Sequence, residues 1–283
     1  MNELRGRVAV VTGGGSGIGR GIALTLGAEG MTVAVADIQE SKAREVAAEI
    51  EASGGRGLGI GVDVTSVESL ARAAEAIVAR TGGVNLLCAN AGVLARVGPL
   101  ANHTIGDWEY TLSVNVLGIV KTVAAFLPAL RERAPDTHIV TTASLGGLVS
   151  DVGAPMGAYV ASKYACVGYS EMLRAELERE GIGVSVLCPA VVASSLLTTS
   201  TENRPGAFGE QAAVDLGAAP ANVKGEGPHL ALRRAMPAED VGPILLRAIR
   251  ANRFHVLTHP HARPLVDARL QGVLADFDFA ARE

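Results

Sequence analysis

The chain has 283 residues, 48% hydrophobic and only 4% aromatic, with 34 glycines and 12 prolines, a small-residue aliphatic composition that suits one α/β domain. Its formal net charge is −4 and its basic clusters, Arg131/Arg133 and Arg233/Arg234, are short, so the basic stripe expected of a duplex nucleic-acid binder is missing. Residues 1–7 lack the apolar core of a secretory leader and no run reaches the roughly eighteen uninterrupted apolar residues of a membrane span, while Cys88, Cys166 and Cys188 are scattered among apolar neighbours, so buried thiols in a reducing, cytoplasmic compartment are expected, with no membrane partner.

Val8-Ala9-Val10-Val11 reads as a buried parallel strand that runs into Thr12-Gly13-Gly14-Gly15-Ser16-Gly17-Ile18-Gly19 and then a helix through about Ala28. A second strand, Thr32 to Ala36, ends at Asp37 and completes a βαβ unit. Gly13, Gly17 and Gly19 stand where strand gives way to helix, so the backbone can turn tightly and approach a ligand. The helix start adds free N–H groups and the positive end of a dipole, a seat for a pyrophosphate. The spacing Gly-x-x-x-Gly-x-Gly departs from the Gly-x-Gly-x-x-Gly dinucleotide fingerprint, but its placement fits one. Asp37 sits where a carboxylate accepts hydrogen bonds from the adenosine ribose, and it would repel a 2'-phosphate, which favours NAD over NADP. Its plainer role is to cap the following helix, and Arg20 could sit near a phosphate or be exposed on the opening turn of the first helix.

The alternation continues with a helix at 40–52, a short strand Gly59 to Val62 leading into Asp63-Val64, and a helix at 67–80. Leu86 to Ala89 is a strand, 107–132 a long helix, His138 to Thr142 a strand, 157–180 a helix and Gly183 to Cys188 a strand. This order predicts a single-domain Rossmann fold, a doubly wound parallel sheet with helices on both faces. From Ser194 to about 230 the rhythm breaks into a segment rich in Ser, Thr, Gly, Ala and Pro, expected to be a loop or lid over a site. A helix around Pro237–Asn252, a strand Phe254 to Thr258 and a last helix at 264–278 close the chain. His255, His259 and His261 crowd around Pro260 without a matching Cys/His motif, so they read as a C-terminal loop and no metal is expected.

Tyr159 and Lys163 are one helical turn apart and share a face. A phenol is a poor base on its own, and a neighbouring ammonium favours its ionised form. Oxidation of a carbinol needs a proton acceptor, and the reverse reaction a donor, so the pair suits that chemistry. Ser144 follows the His138–Thr142 strand at the sheet's carboxyl edge, where a hydroxyl can orient a substrate oxygen, although a turn or cap serine looks the same in sequence.

Taken together, Thr12–Gly19, Asp63-Val64, Asn90-Ala91-Gly92, Asn115, Ser144, Tyr159-Val160-Ala161-Ser162-Lys163 and Cys188-Pro189-Ala190 resemble the short-chain dehydrogenase/reductase family over nearly the whole chain. The resemblance implies an NAD-dependent enzyme that interconverts a secondary alcohol and its ketone. Tyr159 would be the general acid/base. Lys163 would bind the nicotinamide ribose and tune Tyr159, and Ser144 would position the substrate oxygen. Asn115 would hold a helix bend and a water that links Lys163 to solvent. By the same resemblance Gly13, Ser16, Gly17, Ile18, Gly19, Asp37, Asp63, Val64, Asn90, Ala91, Gly92, Pro189, Val192 and Ser194 would contact or support the cofactor. Ala190 departs from the family's Pro-Gly, placing a methyl group where the cofactor passes, and Ser194 stands for a threonine. Leu94, Leu145, Val149, Val191, Leu196 and Leu197 point to an apolar or aromatic alcohol or ketone substrate. A sugar or polyol dehydrogenase, or an inactive NAD-binding scaffold, are the alternatives. The helices 107–132 and 157–180 resemble those through which family members form homodimers and homotetramers, with Ala124, Ala125, Ala161, Ala165 and Gly168 permitting close approach or facing the sheet.

Overall fold

Three strands buried at every position form the centre of the molecule: β1 (Val8–Thr12), β4 (Leu86–Ala89) and β5 (Thr137–Thr142). Continuous aliphatic runs of this kind belong to parallel strands covered on both faces. The computed structural model describes residues 1, 3–210 and 235–281. In it these strands join β2 (Thr32–Asp37), β3 (Arg56–Gly61), β6 (Ile182–Cys188) and β7 (His255–Leu257) in one parallel sheet of order β3-β2-β1-β4-β5-β6-β7. The order reverses between β1 and β4, and a sheet of this type opens its crevice at the carboxyl ends of those strands.

Successive side chains leave a strand on opposite faces, and the core divides accordingly. Ala9 and Val11 pack with α1 (Gly17–Ala28), α2 (Glu40–Ala52) and α8 (Val241–Arg250) through Ile22, Ile50 and Leu245. Val10 packs on the other side with α3 (Val67–Thr81), α5 (Gly118–Arg131) and α6 (Gly157–Leu177) through Leu70, Phe126 and Leu173. The doubly wound Rossmann architecture expected from the alternation is the one observed.

Several details differ from the sequence reading. The strand expected at Gly59 begins at Arg56, which pairs with Thr32. Its glycines let α2 lie close above: a β-carbon at Gly57 would stand 2.3 Å from the carbonyl oxygen of Ala47. The long helix starts earlier, as α4 (Ile105–Leu112), behind a capping box in which Thr104 and Asp107 each accept the other's backbone N–H. It then widens into a π-helical segment, Ser113–Leu117, before α5, and insertions of this kind gather at functional sites. The Ile105–Arg131 stretch is long and apolar enough to cross a bilayer by composition, yet Ile119, Val123, Phe126 and Leu130 place it in the core.

The segment after β6, expected to be loop from Ser194, contains α7 (Leu196–Glu202) and a turn at Gly206–Phe208. Its part from 211 to 230, and Arg233/Arg234, lie outside the described residues. The histidines expected in a C-terminal loop are divided: His255 opens β7, while His259 precedes and His261 lies within the turn Pro260–Ala262 before α9 (Arg263–Ala280).

Candidate active site

One side chain ties the carboxyl ends of β1, β4 and β5 together. Asn90 donates through Nδ2 to the Thr12 carbonyl at 3.1 Å and accepts from Thr142 Oγ1 at 3.1 Å. Thr12 Oγ1 in turn accepts from the backbone N–H groups of Asn90 at 3.0 Å and Ala91 at 3.2 Å. The floor of the crevice is therefore fixed where the sheet order reverses.

Above it the glycine loop is as tight as its sequence demands. Gly13 has φ +62°, and a β-carbon there would stand 2.8 Å from Ala91 Cα. At Gly19 a β-carbon would meet the Gly13 carbonyl oxygen at 2.0 Å. Ser16 precedes α1 without capping it through its side chain, so the first N–H groups of the helix are available to an anion. Asp37 Oδ2 accepts from Gly15 N–H at 2.9 Å and Oδ1 from Gln39 N–H at 3.0 Å. The residue that caps α2 is Gln39, so Asp37 is not a helix cap; it faces the crevice and braces the glycine loop. Arg20 is occupied by an ion pair with Glu49, and Lys42 by one with Glu45 at 3.1 Å. Asp63 accepts from the Thr65 N–H at 2.8 Å, and Val64 packs beside Gly118.

The opposite wall carries Ser144, Tyr159 and Lys163. Lys163 is 3% exposed and donates to the Thr142 carbonyl at 2.9 Å. Its ammonium lies 5.4 Å from the centre of the Tyr159 ring. Ser144 Oγ accepts from Gly146 N–H at 3.1 Å and donates to the Pro189 carbonyl at 3.3 Å, a long bond that leaves the hydroxyl easy to redirect. Behind them Asn115 is fully buried in the π-helical segment, where Oδ1 accepts from Val93 N–H at 2.7 Å and Nδ2 donates to the Val93 carbonyl at 2.9 Å and Ser162 Oγ at 3.0 Å. Its backbone carbonyl accepts from the Cys166 thiol at 3.0 Å.

Both walls enclose one cavity of about 880 Å³. Every site residue expected from sequence lines it except Ala91 and Asn115, which support the wall from behind. Ala190 also lines it, its N–H donating to Thr258 Oγ1 at 3.3 Å. Of the apolar candidates, Val149 is instead packed with Leu145 and Ala262 outside the cavity. All three cysteines are free and buried, and burial pushes the Cys88 and Cys188 thiols up to about 12.

The sequence reading missed the group that seats α7. Leu94 N–H donates to Ser200 Oγ at 2.8 Å, and Tyr110 Oη donates to the Ser200 carbonyl at 3.2 Å. Arg204 pairs with Asp107 at 2.9 Å, the two side chains being 3% and 2% exposed, and its guanidinium lies 5.5 Å from the centre of the Tyr110 ring. Burial raises the Asp107 carboxyl, but hydrogen bonds from Thr104 and the Arg204 ion pair outweigh it and hold the group below its ordinary value. No short motif announces this cluster, because its members come from segments about a hundred residues apart.

Comparison with known proteins agrees with this geometry. Residues 7–205 match the model of the short chain dehydrogenase family. The chain is 33% identical over 262 residues to a 1-deoxy-11-beta-hydroxypentalenate dehydrogenase of Streptomyces exfoliatus, covering 92% of this chain and 86% of that protein. Its fold superposes with a TM-score of 0.86 on a short-chain dehydrogenase/reductase from Burkholderia phymatum in complex with NAD, at 33% identity and with 98% and 97% of the two chains covered. A short-chain dehydrogenase from Burkholderia cenocepacia in complex with NADP gives a TM-score of 0.72 at 26% identity, covering 90% of this chain and 97% of that one. With the parallel sheet, the glycine loop and the match across most of its length, this chain belongs to the short-chain dehydrogenase family of nicotinamide-dependent oxidoreductases.

Proposed function

We propose that the chain is an NAD(H)-dependent dehydrogenase acting on a secondary alcohol, or in reverse on its ketone, with Tyr159 as the proton carrier. The observation that carries this reading is the convergence of Ser144, Tyr159 and Lys163 on the cavity that the glycine loop also lines. The close approaches at Gly13 and Gly19 and the open start of α1 fit a dinucleotide's pyrophosphate. NAD rather than NADP is favoured because Asp37 presents a carboxylate at the ribose position while Arg20 and Lys42 are already paired with carboxylates.

The bound nicotinamide supplies a hydride acceptor or donor, and the side chains manage the proton. Tyr159 takes the proton from the substrate hydroxyl during oxidation and returns it during reduction. Lys163, fixed on the Thr142 carbonyl, sets a positive charge beside the phenol and would hold the nicotinamide ribose of a bound cofactor. Ser144 turns its hydroxyl from the Pro189 carbonyl to the substrate oxygen and steadies charge that develops there. Asn115 holds the helix and the strand connection behind Lys163 in register. Leu94, Leu145, Val191, Leu196 and Leu197 face the cavity, so a hydrocarbon-rich substrate is favoured over a phosphorylated one.

The free, buried thiols suit a reducing, cytoplasmic setting. Assembly as a homodimer or homotetramer through α5 and α6 is part of the same reading. Ala124, Ala161, Ala165 and Gly168 are exposed, which frees them for a close helix contact, whereas Ala125 packs toward the core.

Tyr159→Phe tests the central assignment. It keeps the ring and removes the titrating hydroxyl, so turnover falls by about 10²–10⁴-fold while NAD binding stays within about twofold. Retention of more than about a tenth of kcat, with chemistry rate-limiting, would contradict it.

A further inference from the structure

The C-terminal helix stands apart from the rest of the fold. Leu265 and Val266 pack on Leu145, Val149 and Ala262, and Arg269 lies 5.2 Å from the centre of the Tyr164 ring. From Asp267 to Ala281 every residue is exposed among the described residues. Val266, Leu270, Val273, Leu274 and Phe277 fall at helical spacing on one stripe, and Leu274 and Phe277 are 53% and 71% exposed. An isolated helix of this length is marginal in water, so such a stripe calls for a covering surface.

The charges identify what that surface is. Arg263 in the first turn pairs with Asp267 at 3.2 Å, Arg269 follows one turn further on, and Asp276 and Asp278 stand at the end, the first turn having no acid and the last no base. Both ends therefore carry the sign that the helix dipole disfavours. An antiparallel copy of the same helix reverses this, because each acidic end then lies beside a basic start.

We propose that α9 pairs antiparallel with α9 of a second copy of the chain across a two-fold axis. Heptad packing layers Leu270 on the partner's Val273 and Phe277 on the partner's Val266. That register brings Arg269 beside the partner's Asp276, twice by symmetry. It also sets the partner's Phe277 at the mouth of a groove of about 670 Å³ that Val266 and Leu270 share with Leu148, Tyr164 and Leu257. The groove also includes Gly168 of α6, so this contact borders the one proposed through α5 and α6.

The test uses the full chain and its mass by light scattering at about 10 μM, a concentration at which specific oligomers persist. Leu270→Asp/Phe277→Asp is expected to halve the assembly mass and leave kcat unchanged, since neither residue lines the active-site cavity. Arg269→Asp alone should weaken association about tenfold, and Arg269→Asp/Asp276→Arg should restore it, because the swap keeps the antiparallel pair complementary. The swap also guards against a variant that simply misfolds. A wild-type monomer, an unchanged mass in the double aspartate variant, or failure of the swap to rescue would each overturn the proposal. Binding of the wild type to phospholipid vesicles without a change in mass would do so as well.

Discussion

The two walls of the crevice are built by different means. The wall proposed to hold the cofactor is local: Thr12 to Gly19 forms the loop, and Asp37 braces it by accepting from Gly15 within the same βαβ unit. The wall proposed to face the substrate is assembled from distant pieces, with Leu94 bonded to Ser200 and Asp107 to Arg204. A local wall can be fixed by backbone geometry alone, because glycine decides which turns are open. A wall made of distant pieces depends on buried polar pairs, each of which is strongly destabilising to break. The contrast says that the first wall should fail by losing cofactor and the second by losing substrate.

Gly19→Ala should produce the largest change. The added methyl would meet the Gly13 carbonyl at 2.0 Å, so the loop must open. NAD affinity should drop by roughly 100-fold or more, about 2.7 kcal/mol, in a titration of NADH fluorescence. A shift below about threefold would mean that the loop does not seat the pyrophosphate.

Arg204→Gln probes the other wall. It leaves Asp107 without its closest charge partner and loosens the segment that carries Leu196 and Leu197. KM for the alcohol should rise about tenfold, some 1.4 kcal/mol, while NAD affinity barely moves. An equal loss of NAD affinity would erase the distinction between the walls.

A third effect, on stability and not on either wall, lies beneath both. His138 is buried under the sheet edge and hydrogen-bonded to Ser185 Oγ at 2.8 Å, and that hydroxyl donates to the Arg253 carbonyl at 2.6 Å. Burial, reinforced by the N-terminal ammonium and Arg174, pushes its imidazole down to about 3. An unfolded histidine gains its proton near pH 6.5, so the unfolded chain binds one proton more between pH 6.5 and about 3. Stability from this group is complete above pH 6.5 and declines on acidification by up to about 1.4 kcal/mol per unit. Urea midpoints at pH 7 and pH 5 should differ less in His138→Gln than in the wild type. Identical pH slopes would remove His138 as a source of acid sensitivity.

The same contrast explains what could be read in the sequence. The strands, the βαβ order and the residues that line the crevice were legible because each is marked by a local pattern: an aliphatic run, a glycine turn, or a Tyr/Lys pair one helical turn apart. The π-helical segment at Ser113–Leu117 was not, since one widened turn does not disturb the apolar period around it. α7 was read as loop because its Ser and Thr residues are turn formers. In the structure Thr199 and Thr201 donate to carbonyls four residues back, at 3.0 and 3.2 Å, and so satisfy their hydroxyls within the helix. Arg204 and Asp107 give no local signal, because an ion pair between distant segments leaves no spacing to detect.

The most direct test of the account is formation of NADH by the wild-type protein, followed by absorbance, across matched uncharged and phosphorylated secondary alcohols. The account predicts turnover with NAD on uncharged, hydrocarbon-rich alcohols, much slower turnover on the phosphorylated set, and weak activity with NADP. Tight NAD binding without turnover on any of them would contradict it and leave a cofactor-binding protein that performs no hydride transfer.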